Sequence, residues 1–121
     1  MKYIIDLIED IRTEIGHNGE YTITAMLLKE DSNDQEKLIY AGEAPIASFD
    51  IDPTAKRLLF KIKQDNPALL VDELVKHLLI LDMDAMMYPL HISINHQYQE
   101  VEVIGFGKSV EDSKYILFIK I

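Results

Sequence analysis

The chain has 121 residues, 12 Lys plus Arg against 21 Asp plus Glu, a formal net charge of −9 and no cysteine. That length suits one domain spanning 1–121, which buries roughly two-thirds of the unfolded chain's surface and needs no disulfide or metal to fold. The missing cysteine excludes thiol catalysis and thiolate metal sites, and the acid excess disfavours a nucleic-acid backbone, which rewards Lys and Arg.

Asp6, Glu9 and Asp10 interrupt the N-terminal apolar residues, so no export signal is expected, and no apolar run approaches the ~20 residues that cross a bilayer. A cytoplasmic chain without membrane contact is the expectation. Ile4, Ile8, Ile11 and Ile15 fall on one helical stripe, which stops at Gly16, a residue that takes the left-handed cap conformation without strain. Asp6, Asp10 and Glu14 sit four apart on what reads as the outer face of this helix, a candidate docking strip for a basic protein partner. The same half of the chain is the acidic one: residues 1–55 hold 12 acids and 4 bases.

From Tyr21 to Lys29 threonines and apolar residues alternate, and Lys37 to Ala41 resumes the pattern after the polar run Glu30 to Glu36, as a hairpin would. Asp31 to Glu36 begins like a calcium loop, but Glu36 and Gly42 occupy the two places where that loop needs Gly and Glu. Pro45 then separates this hairpin from a second, Ala47 to Asp52 with Arg57 to Lys63. Pairing Asp52 with Arg57 sets Ile51 opposite Leu58, Phe49 opposite Phe60 and Ala47 opposite Ile62, so apolar meets apolar.

Asn66 and Pro67 are a helix start, and Leu70, Val71, Leu74, Leu78 and Leu81 follow on one face. Leu69, Leu79 and Ile80 widen the apolar arc, which predicts a helix lying across a sheet. Met83, Met86 and Met87 are expected to fill core gaps rather than hold copper. Three strands complete the chain: Leu90 to Asn95, Glu100 to Val103 and Tyr115 to Ile121. Gly105 to Ser109 ends in Gly-Lys-Ser like a phosphate loop, but Glu102 stands where a glycine is needed and no helix can follow, so a glycine-assisted strand bend is expected.

Setting Ile94 opposite Val101 places His91, Ser93, Asn95, Glu100 and Glu102 on one sheet face, with Ser93 opposite Glu102. His91, Ser93 and Glu102 are therefore the catalytic candidates, a base, a nucleophile and a carboxylate, although a solvated sheet face shows the same alternation. His91 and His96 are an odd number of residues apart and point to opposite faces, and no metal or cofactor is expected. The last strand is apolar on both parities, so it is central or meets a second copy.

The expected fold is a single α+β domain in the order α-β-β-β-β-α-β-β-β, an antiparallel sheet of hairpins with both helices on one face. Because that arrangement leaves the other face bare, a homodimer is expected. The function expected from these residues is that of a non-enzymatic binding, adaptor or assembly protein, the alternative being a small hydrolase or ligand-binding domain built on the His91, Ser93 and Glu102 face.

Overall fold

A computed structural model describes residues 1–16, 20–62, 67–94 and 99–121. The first helix, α1 (Ile4–Glu14), buries Ile4, Leu7 and Ile11 and ends as expected, with Gly16 at φ 67° and the N–H groups of Ile15 and Gly16 both donating to the Ile11 carbonyl. Strands β1 (Thr22–Asp31) and β2 (Asp34–Asp52) follow, then β3 (Arg57–Ile62), a second helix α2 (Val71–Leu78), a short 3-10 helix (Ala85–Met87), and β4 (Leu90–Ile94), β5 (Gln99–Ser109) and β6 (Lys114–Lys120). The class is α+β, but the sheet is mixed: β1 pairs β6 in parallel, β3 pairs β4 in parallel, and the six strands close into a barrel in chain order.

Closure depends on two long strands that each serve two sets of neighbours. The expected break at Pro45 is absent: β2 runs through it, pairing with β1 from Asp34 to Pro45 and with β3 from Ile46 to Asp52. Pro45 has no N–H to give the ladder, and beyond it β2 turns away from β1. The gap is filled by Leu69, whose N–H donates to the Ile46 carbonyl at 2.7 Å and whose carbonyl accepts from Ile23 at 2.9 Å. This use of Leu69 as a strand residue explains why α2 begins at Val71 rather than at the expected Asn66-Pro67; Asn66 itself lies outside the described residues. The second long strand, β5, pairs with β4 through Glu102 and with β6 from Val103.

The β2–β3 register keeps the expected pairs Asp52 with Arg57, Ile51 with Leu58 and Phe49 with Phe60. Beyond Phe49 it departs: an irregularity at Ala47 sets Ile46, not Ala47, opposite Ile62, and buries Ile46 completely. Such a bulge bends its strand, which is what a strand passing from one neighbour to another requires.

One core fills the molecule. Ile23, Phe60, Ile92 and Leu117 from the strands join Leu7 of α1 and Leu74 of α2 in a single cluster, so the helices do not share one face of an open sheet as expected. Both apolar parities of β6 are accounted for within the chain. Tyr115, Leu117 and Ile119 are fully buried, while Phe118 on the other side lies over Gly105 and Gly107 of β5. A Cβ at Gly107 would stand 2.8 Å from the Phe118 ring, so glycine is needed there for close approach. The Gly-Lys-Ser run therefore sits inside a strand, next to the bulge at Ile104 between Val103 and Gly105, in keeping with the expected bend. Among the described residues, no helix is long and apolar enough to cross a membrane.

Candidate functional site

Strand alternation turns Arg57 and Lys61 of β3, His91 and Ser93 of β4, and Glu100 and Glu102 of β5 away from the neighbours that face the core. The register differs by two residues from the expected one: His91 faces Glu102, Ser93 faces Glu100 and Ile92 faces Val101. A slip of two preserves the face of every side chain, so the polar set stays together while its pairings change. Asn95 lies outside the described residues.

Arg57 Nη1 is ion-paired with Glu100 Oε2, and His91 Nδ1 lies 3.9 Å from that same oxygen. Both ring nitrogens of His91 and Nε of Arg57 are buried without a hydrogen-bond partner. Ser93 and His91 thus share no hydrogen bond, and the carboxylate nearest the imidazole is held by a guanidinium. A serine nucleophile needs its base in contact and the base oriented by a third group, and neither link is made here. Lys61 is paired with Asp50, and Asp52 accepts the N–H groups of Thr54 and Ala55, so these two carboxylates serve the β2–β3 hairpin. Among the described residues, no three His, Asp or Glu side chains gather as metal ligands.

The carboxylates of α1 are placed differently from the sequence reading. Asp6 accepts the Tyr3 N–H at 2.8 Å and caps the helix start. Asp10 accepts the Tyr115 hydroxyl at 2.7 Å, and Glu14 pairs with Lys108 Nζ at 3.1 Å. Asp10 and Glu14 thus reach β6 and β5 and tie the helix to the barrel, while Asp6 serves the helix's own first turn. Burial, then the hydrogen bond to Asp10 and the nearby charges of Asp10 and Glu14, push the Tyr115 phenol well above its ordinary range. Other acids of the N-terminal half are likewise matched by later lysines: Glu43 by Lys114 and Glu30 by Lys120.

A surface that the sequence reading assigned to the core is exposed. After α2 ends, Leu79 is 64%, Ile80 82%, Met83 88% and Met87 58% exposed. Only Leu78 before them, and Leu81, Ala85 and Met86 among them, reach the core or pack against it. The turn is held open by Asp82, whose carboxylate accepts the Ala85 N–H at 3.0 Å, and by the 3-10 helix that packs beside α1. No protein-family model, curated protein or solved structure matches the chain. Function must therefore be argued from these side chains alone. The signal available in the sequence was Asp82, whose carboxylate caps the next turn at Ala85 and marks a new element after α2.

Proposed function

We propose that the chain is a non-catalytic binding or adaptor module that engages a protein partner through the turn between α2 and β4. The observation that carries this reading is the exposure of Leu79, Ile80, Met83 and Met87 within nine residues of one another. Single exposed apolar residues are ordinary, whereas a contiguous group of long ones marks an interaction surface. Methionines suit that use because the unbranched, polarizable thioether adapts to the shape it meets. The acidic N-terminal half contributes less to this reading than its charge suggested, since Asp10, Glu14, Glu30 and Glu43 are satisfied within the chain.

The test is a photo-crosslinking amino acid placed at Met83 or, as control, at Ser93, in cells that make the protein. Adducts with a protein at position 83 and none at 93 support the reading; their absence at 83 overturns it. The hydrolase alternative is tested by a broad substrate screen on the wild type and Ser93→Ala. A turnover present in the first and lost in the second would replace the binding reading with catalysis.

A further inference from the structure

Resting on that binding reading, we infer that the Leu79–Met87 turn receives a cationic amphipathic segment of its partner, an apolar face flanked by Lys or Arg. The charge around the turn selects this occupant. The charged residues of the turn itself are Asp82 and Asp84, and the chain has no Lys or Arg from there until Lys108. Two described lysines have partners of their own: Lys76, three residues before Leu79, has its Nζ 3.4 Å from Asp72, and Lys2, whose carbonyl accepts the Leu90 N–H, has its Nζ over the Phe106 ring at 5.9 Å. Asp84 makes no cap hydrogen bond, is exposed, and stands directly beside Met83, so its charge is free for a partner.

The same charges argue against the other two occupants of an apolar turn. A second copy related by a two-fold axis would bring a second Asp82 and Asp84 to the same patch and join two chains of net charge −9. An anionic bilayer attracts juxtamembrane Lys and Arg, and the turn offers only carboxylates. A segment with Lys or Arg beside its apolar residues gains from both features, burying the methionines and neutralising Asp84.

A fluorescent helix-forming Leu/Lys peptide, its Leu/Glu counterpart, and phosphatidylglycerol/phosphatidylcholine vesicles are the probes, with full-length protein as receptor. Fluorescence anisotropy is expected to show binding of the Leu/Lys peptide that weakens as salt rises. The exposed double variant Ile80→Ser/Met83→Ser, with unchanged circular dichroism, is expected to bind about tenfold more weakly, and so is Asp84→Lys. Failure to bind, equal binding by the double variant, or preference for Leu/Glu overturns the inference. So does a dimer in light scattering, or vesicle binding, that the double variant abolishes. If crosslinks form at Met83 but to partners lacking a cationic amphipathic segment, the binding reading stands and this inference falls.

Discussion

Tyr115 shows how a single hydroxyl fastens a helix to a barrel. Its hydrogen bond to Asp10 joins β6 to α1, and truncation to Phe leaves a part-buried carboxylate without its donor. Tyr115→Phe is expected to lose about 1.5–3 kcal/mol at neutral pH, the range for hydrogen bonds to charged groups. The pH dependence has a definite sign. Below pH about 10 both folded and unfolded chains keep the phenol protonated and the contribution is complete; above it the unfolded chain releases the proton first, so stability falls as pH rises. Urea denaturation from pH 7 to 11 should therefore show a steeper alkaline decline in the wild type than in Tyr115→Phe. His91 poses the opposite case. A surface reading of the sequence makes it neutral to truncation, but its ring nitrogens are buried and unpartnered. Replacing such a group with an apolar one of similar size removes a desolvation penalty of about 1–3 kcal/mol. His91→Leu is expected to match or exceed wild-type stability in thermal denaturation, whereas a marked loss would mean that the imidazole has a polar partner in solution.

Among the elements, β2 separates what is legible in a sequence from what is not. The alternation of Phe49, Ile51, Leu58 and Phe60 sets their pairing because a slip of one residue would turn every one of them outward. Parity holds no such information about a slip of two, and the β4–β5 register moved by that amount with His91, Ser93 and Glu102 still on one face. Nor does parity survive a bulge: Ala47 and Ile46 exchange roles where β2 leaves β1 for β3. Ile46→Ala is the sharp test, because a regular hairpin would place Ile46 on the outside. In the barrel it is fully buried, and its truncation should cost about 2–5 kcal/mol by chemical denaturation. The start of α2 is not legible because Pro67 suits a first helical turn, while the demand for a strand residue between β1 and β2, met by Leu69, is tertiary. The exposure of Leu79 and Ile80 is hidden for a related reason: an apolar arc specifies a face only while the helix continues.

At the scale of the molecule, closure is the property least visible in the sequence. Pairing β1 with β6 in parallel joins the two ends of the chain, and no local pattern specifies a contact so distant. The doubly apolar β6 was the clue, and it fits a strand with a neighbour on each side as well as one that meets a second copy. Closure also limits how anything can attach. Recognition by strand addition requires an open row of N–H and C=O groups, the same feature that lets folded chains seed fibrils. Here every strand has two partners, but β2 is paired by β1 only up to Pro45 and by β3 only from Ile46, so among the described pairings its Asp34–Ala44 stretch is laddered on one side alone, and the β1–β2 hairpin past Leu28 projects beyond β6. That end carries Asp31, Asp34 and Glu36, whose charges repel a like strand. Thioflavin fluorescence of the native protein should stay flat on prolonged incubation and rise only under conditions that unfold the barrel. Defence against backbone templating thus falls to the charges on this hairpin and not to closure alone.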